Sequence, residues 1–454
     1  MISRHIFRIV MSLGFAGFAL VMIHTTGCQT VPAPSESTTT PPASGGKGNW
    51  NLEGESPHLI AHYLPWYEMT RDTNEKIGAK KPIATRLPSS WYEDDQNNTN
   101  SPRSWRHWKW ENGGPLRDPE DHLNGQRRIA CVDYPLIGPY NSRSRDVIRY
   151  HLQTAKAAGI QAFVVDWYGP HTFEDDQIAL LLDEAAKAGM KIAICYEEKI
   201  NFERFRNVDS RDEAVANVTR DLTYILENYT QHPAYLKRNG IPFIQQFNGW
   251  GKGPAGPNLL TPAEWHDVLA ELPSPIVYAR QNLDEEYYPP IQGGYTWWNS
   301  DSEWLKSVAR RAGELKQKGR LEFFMSMICP GFDDTGVWGW GHGPRRERQQ
   351  GLTTLRQTFE ISSLGDPELV QIVTWNDFNE GTMVEPTREN GFWYLDAIET
   401  WWGEKTGRPV NLMDNRQPFL DYVSHCSSQE KAELPAAPYD SFLVEKPLSG
   451  PPPG

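Results

Sequence analysis

The chain reads as a (β/α)8 barrel with a long insertion after the first strand. Eight β-rich apolar runs alternate with helical spacing across roughly 350–400 residues, within the range of such barrels. Helical segments stop at Gly159 and Gly189, and a β-rich run follows each at once, as helix-to-strand turns require. The rival, a doubly wound open sheet, is weakened because no Gly-rich phosphate loop follows the first strand.

The elements follow in order. His58 to Trp66 reads as the first strand. Val147, Ile148, Leu152 and Ala155 give helical spacing from Ser144 to Ala158, and Ile160 to Trp167 is the second strand. A helix over 176–188 precedes a strand over 191–196, and a helix over 211–229 precedes a strand over 241–247. A short helix over 262–272 leads to a fifth strand over 275–279, with a weak sixth over 293–298. A helix over 302–317, a strand over 321–328, a helix over 346–362 and a strand over 369–375 complete the alternation. Trp393 to Trp402 is the closing helix.

The flanks differ from this pattern. Residues 1–28 have the layout of an export signal: Arg4, His5 and Arg8, then an apolar stretch from Ile9 to Ile23 too short for a convincing membrane span. Thr25-Thr26-Gly27-Cys28 resembles the end of a bacterial lipoprotein signal, which makes Cys28 the expected lipidation site. Residues 29–49 are Pro-, Ser-, Thr- and Gly-rich and read as a disordered tether. The catalytic barrel is expected over 50–426, followed by a Pro-rich tail over 427–454 of the same tether-like character.

Composition narrows the function. The net charge of −13, with no basic tract, argues against nucleic acid as a partner. The 18 Trp exceed what one core needs, and many stand among polar, Pro and Gly residues, where exposed rings suit stacking on sugars. The five cysteines fit no zinc spacing. Cys195 and Cys329 lie in apolar runs and read as inert buried thiols, while a Cys131–Cys426 bridge is compatible with export. No loop has a calcium spacing, so neither a metal nor another cofactor is expected. The membrane is expected as a partner only through the lipid anchor, and the chain is expected to be a monomer.

Residues 67–141 make a connection too long for a compact domain unless it has a task, and they read as a wall or lid over the barrel mouth. They carry Trp91, Trp105, Trp108 and Trp110, with Asn97, Asn98 and Asn100 between. Barrel sites form at the C-terminal strand ends. In turn these ends present Tyr63 and Trp66, Asp166, Glu197, Gln245 and Gln246, Arg280, Tyr295 and Trp297, Asp333 and Asp334, and finally Asp377 and Glu380. Rings to stack on, amides and carboxylates to hold hydroxyls, and two acids three residues apart compose a sugar-cleaving site.

Four segments add a family resemblance. His62-Tyr63-Leu64-Pro65-Trp66-Tyr67, Gly138-Pro139-Tyr140-Asn141-Ser142, Cys329-Pro330-Gly331-Phe332-Asp333-Asp334-Thr335 and Trp375-Asn376-Asp377-Phe378-Asn379-Glu380-Gly381-Thr382 resemble, in order, segments of glycoside hydrolase family 99, the endo-α-mannosidases. The last also resembles a segment of the fungal α-1,3-glucanases of family 71. The resemblance implies that Glu380 is the general acid/base and that Asp377 matches the first acid of the signature. In family 99 that acid is Glu and acts on the sugar 2-hydroxyl; Asp, one methylene shorter, is native to the family 71 pattern. Asn379 stands where family 99 has His.

The sequence therefore predicts an exported glycoside hydrolase that cleaves an α-linked polysaccharide or glycan. Glu380 would protonate the leaving oxygen and Asp377 would be the partner base. Tyr63, Trp66, Asp166, Glu197, Tyr295, Trp297, Asp333 and Asp334 would bind sugar. The alternative from another class is a non-catalytic surface glycan-binding protein on the same barrel.

Overall fold

Alternation along the strands builds two concentric shells. In the first strand Leu59, Ala61 and Tyr63 face outward, while Ile60 and His62 face the barrel axis. The computed structural model describes residues 47–69, 105–111, 113–198, 211–248, 259–347, 351–446 and 448. Cys28, nearly all of the expected tether, and Trp91, Asn97, Asn98 and Asn100 of the long connection lie outside the described residues.

The strands are β1 (His58–Tyr63), β2 (Ala162–Trp167), β3 (Lys191–Glu197), β4 (Ile241–Phe247), β5 (Val277–Gln281), β6 (Gly293–Tyr295), β7 (Phe323–Ile328) and β8 (Leu369–Ile372). Each is hydrogen-bonded in parallel to the next. Pairing of β8 with β1, His58 opposite Leu369, closes the ring. This is a closed (β/α)8 barrel, in which each of the eight strands pairs on both sides. The helices are α1 (Arg145–Ala157), α2 (Ile178–Ala188), α3 (Arg211–Asn228), α4 (Pro262–Glu271), α5 (Ser302–Gln317), α6 (Leu352–Ile361) and α7 (Trp393–Thr406), followed by α8 (Gln417–His425), α9 (Ser428–Glu433) and α10 (Asp440–Leu443). A single 3-10 turn, Glu285–Tyr287, replaces a helix between β5 and β6.

Local chemistry sets the ends. Thr261 and Glu264 form a reciprocal capping box on α4, and the Asp301 carboxylate accepts the Glu303 and Trp304 N–H groups at the start of α5. Gly189 closes α2 at φ +70°. The sixth strand is weak in sequence because it starts with two glycines; a Cβ on Gly293 would lie 2.1 Å from the Phe323 ring. Close passage of β6 past that ring replaces a side chain of its own.

The N-terminal end of the barrel is plugged by Trp50. Its ring meets Phe243 and Phe323 edge-on at 5.3 and 5.5 Å, and its Nε1–H donates to Glu368 Oε2 at 2.8 Å. Arg238 Nε–H donates to the same oxygen at 3.0 Å, which neutralises a carboxylate buried in an apolar floor. Above it, Gln245 and Gln371 exchange side-chain hydrogen bonds across the interior.

Three expectations are corrected. The helix predicted from Arg346 starts at Leu352, because Arg346–Glu347 pair antiparallel with Phe332–Asp333 and Gly351 turns the chain at φ +53°. The tail is not tether-like from residue 427: α9 and α10 follow, and Glu433 pairs with Arg127 while Ser144 Oγ–H donates to Glu430. Cys131 and Cys426 are both free and buried, not bridged. Among the described residues no helix is long and apolar enough to cross a membrane.

Replacing Trp50 with Ala should cost about 3–5 kcal/mol, the usual loss for a buried Trp. Urea unfolding should show a lower midpoint, while kcat of the folded fraction stays unchanged because the plug lies at the end opposite the strand C-termini.

Candidate active site

The segment after β8 is held by one buried amide. Asn376 Oδ1 accepts the Leu64 N–H at 2.8 Å, and its Nδ2 donates to the Leu64 carbonyl at 3.0 Å and to Tyr140 Oη at 3.1 Å. Tyr67 O–H donates to the Asn376 carbonyl and its oxygen accepts the Phe378 N–H. Asn379, also fully buried, donates to the carbonyls of His107 and Ala130 at 2.9 and 2.7 Å, fastening the long connection onto the same loop. This explains why Asn serves at 379: a short amide reaches two carbonyls of the connection.

Between these anchors stand the two acids. The Glu380 N–H donates to Asp377 Oδ1 at 3.0 Å, and the Asp377 N–H donates to Thr374 Oγ1 at 2.8 Å. Burial, and then the neighbouring Glu380 charge, pushes the Asp377 carboxyl well above its ordinary range. Glu380 is half-buried, and loss of solvent lifts its pKa to about 7, with the Asp334 charge adding to the rise. Trp340 Nε1–H, which donates to Glu380 Oε1 at 3.0 Å, and Arg345 oppose it. A carboxyl that keeps its proton toward neutrality, beside a second carboxyl, is the arrangement that acid/base cleavage uses.

The loop after β7 supplies this second wall. The Asp333 N–H donates to the Glu380 carbonyl at 2.8 Å. Asp334 is fully buried and occupied: it accepts the Arg345 N–H and Nε–H, and Arg345 Nη2 lies 2.7 Å from its Oδ2. Trp338 and Trp340 stand at φ +48° and +55°, left-handed positions that cost a non-glycine residue roughly 1–2 kcal/mol each. The strained turn presents the Trp340 N–H to Glu380, and Trp110 from the long connection packs edge-on against the Trp340 ring at 5.2 Å.

Across the mouth stand Asp166 and Glu197, at the ends of β2 and β3. Burial raises Asp166 to about 7, against the hydrogen bonds it shares with Glu197 and Tyr168. His62 faces Asp166 at 3.6 Å, and half-buried Trp297 meets the His62 ring at 4.9 Å and the Phe247 ring at 4.8 Å. Asp166, Glu197 and Trp297 thus gather at one end of the barrel, and the Asp166 charge acts on Asp377.

Other predicted ligands are elsewhere. Tyr63 points outward, stacks on Phe163 and contacts His151 Nδ1 through its hydroxyl at 3.1 Å; pleat parity, not distance along the chain, removes it from the sugar site. Tyr295 faces the axis but is fully buried and donates its O–H to the Gln246 carbonyl at 2.7 Å. Trp66 stacks on His107 at 4.3 Å and is 7 % exposed. Trp108 is fully buried against Tyr67, so it is core, not a platform. Asp333 is 7 % exposed, with Arg346 Nε 3.3 Å from its Oδ2. Trp340, His62 and Asn379 were missed as site or anchor residues. Strand parity from Ile60 was the signal for His62; Trp340 had none beyond its place after the seventh strand.

The family model for glycosyl hydrolase family 99 matches residues 85–400. The chain belongs to glycosyl hydrolase family 99, and it is a glycoside hydrolase. The mouse glycoprotein endo-alpha-1,2-mannosidase is 26% identical over 380 residues, 72% of this chain and 76% of that protein. The human glycoprotein endo-alpha-1,2-mannosidase-like protein is 25% identical over 369 residues, 76% of this chain and 69% of its own length. Among solved structures, the family 99 endo-alpha-mannosidase from Bacteroides thetaiotaomicron shares the fold, with a TM-score of 0.55 at 20% identity over 80% of this chain and 99% of that one.

The Trp340 N–H stabilises the Glu380 carboxylate, so Trp340→Phe, which keeps a ring and removes the donor, should raise the Glu380 pKa above about 7. An NMR titration of labelled glutamate carboxyls reads this directly. A shift downward, or none, would contradict the contact.

Proposed function

We propose that this chain is an endo-acting α-mannoside hydrolase in which Glu380 is the general acid/base and Asp377 its partner. The observation that carries the reading is the pair itself: two carboxyls at the end of β8, joined by a 3.0 Å hydrogen bond from Glu380 N–H to Asp377, with Glu380 lifted to about 7. Glu380 protonates the glycosidic oxygen as the bond to the anomeric carbon breaks. While Glu380 holds the proton, the neighbouring charge that raises Asp377 is absent; Asp377 as the anion faces the developing positive charge and removes a proton from the attacking hydroxyl or water. Glu197 and Trp297 bind the sugar, with Trp297 giving an apolar face and the Glu197 carboxylate accepting hydroxyl hydrogen bonds, while Asp166, only 2 % exposed, lies beneath them. Trp66, Asp333, Asp334, Tyr63 and Tyr295 act as scaffold.

Similarity to the endo-alpha-1,2-mannosidases supports mannose as the sugar and internal cleavage as the mode. Asp at 377 favours α-glucan as a second substrate, and a fungal mutanase from Penicillium rubens is 23% identical over 287 residues. The leader supports export with a lipid anchor on Cys28 and a barrel that works as a monomer on extracytoplasmic glycans.

Reducing ends released from α-mannans, α-glucans and sulfated polysaccharides identify the substrate. Glu380→Gln should lower kcat/KM by about 10²–10⁴-fold with binding largely kept. Equal turnover would remove Glu380 from the reaction, and binding without cleavage by the unaltered protein would favour a glycan-binding role. The general acid is active only while protonated, so log kcat/KM should fall as pH rises through about 7. A profile level across neutrality would exclude that role. In bacteria, labelled fatty acid should enter the chain and be lost in Cys28→Ala; incorporation in that variant would place the lipid elsewhere.

A further inference from the structure

Directly beneath the sugar-binding mouth, three side chains from three strands converge: His62 of β1, Asp166 of β2 and Cys195 of β3. An imidazole nitrogen, a carboxylate oxygen and the Cys195 sulfur all lie within 4.8 Å of one another, and all three residues are buried. We propose that His62, Asp166 and Cys195 bind a Zn²⁺ ion that ties β1, β2 and β3 together under the catalytic loop.

The donor set matches the ion. One imidazole, one carboxylate and one thiolate are the borderline-soft ligands that zinc takes, and three protein ligands leave a fourth position for water. His62 Nε2 stands 3.6 Å from Asp166 Oδ1. That is too long for a hydrogen bond, yet it suits two atoms sharing one ion, since tetrahedral ligands at roughly 2.0–2.2 Å lie about 3.3–3.6 Å apart.

One buried polar atom gives an independent sign. Asp166 Oδ1, the oxygen that faces His62 Nε2, has no hydrogen-bond partner, although Asp166 is only 2 % exposed. Buried polar atoms are nearly always paired, and an ion is one way to satisfy such a group. Charge closes as well: Zn²⁺ with a thiolate, a carboxylate and a neutral imidazole is electrically neutral, which suits the barrel interior. Binding forms Zn–S, Zn–O and Zn–N bonds and releases the Cys195 thiol proton, and the Asp166 proton when it is present, to solvent.

The ion would also brace the acids. The His62 carbonyl accepts the Trp375 N–H at 2.7 Å, one residue before the Asn376 anchor. Fixing His62 therefore fixes the strand against which the Asp377–Glu380 loop hangs.

The test uses the full chain. Metal analysis after purification from zinc-containing medium should find Zn²⁺ stoichiometric with protein. Exchange for Co²⁺ should give a thiolate-to-cobalt charge-transfer absorption in the near ultraviolet. Cys195→Ser should abolish that absorption and weaken Zn²⁺ binding by more than ~10-fold, while Cys426→Ser, at a distant free thiol, should leave both unchanged. Substoichiometric metal with no cobalt–thiolate absorption in the unaltered protein overturns the proposal. An absorption that survives in Cys195→Ser places the metal elsewhere and overturns it equally. The cobalt spectrum of the unaltered protein decides the matter even if a variant fails to fold.

Discussion

The structure of the mouth depends on the hydrogen bonds of Asn376. Its amide grips both the N–H and the carbonyl of Leu64, so the loop after β8 is tied directly to the loop after β1. Tyr140, bonded to the same amide, donates its own O–H to Glu385 at 2.9 Å, and Tyr67 spans the Asn376 carbonyl and the Phe378 N–H. A buried amide with both ends satisfied is worth more than its separate bonds suggest, because leaving any one unmade would strand a polar group in a dry interior. Asp377 and Glu380 inherit their positions from this clamp.

Around that clamp the barrel concentrates carboxyls. Asp166, Asp377 and Glu380 are all lifted above the ordinary carboxylate range, with burial the leading cause in each. Arg345 pairs with Asp334, and its charge tempers the rise at Glu380. Burial of this kind is the condition for a carboxylic acid to keep its proton toward neutral pH. The Trp338–Trp340 turn carries backbone strain to aim one N–H at Glu380. Such strain persists only because the β7 and β8 loops are locked together by the Asp333-to-Glu380 backbone bond.

Much of the fold was legible because it is written in local periods. Each strand and helix expected in the barrel is present, and Ile241–Phe247 and Ser302–Gln317 have the expected bounds. Apolar period and glycine stops report burial and chain reversal within a few residues, and the barrel follows from their repetition. The last strand's acids were legible for the same reason, since they follow an apolar run at once. Tyr63 was misplaced because strand-end position alone says nothing about which way the pleat turns. Composition cannot tell a ring stacked on Tyr67, as Trp108 is, from one offered to a sugar.

The sequence by itself determined the (β/α)8 class, the order of its elements, the family and the two acids after β8, because each rests on neighbours along the chain. Only the tertiary structure decided which residues meet: Asn379 with Ala130, Trp340 with Glu380, and His62 with Asp166 and Cys195. These partners are separated by tens to hundreds of residues, and no spacing motif records them. Barrel closure and strand parity bring them within a few ångströms, and both are properties of the whole ring rather than of any one segment.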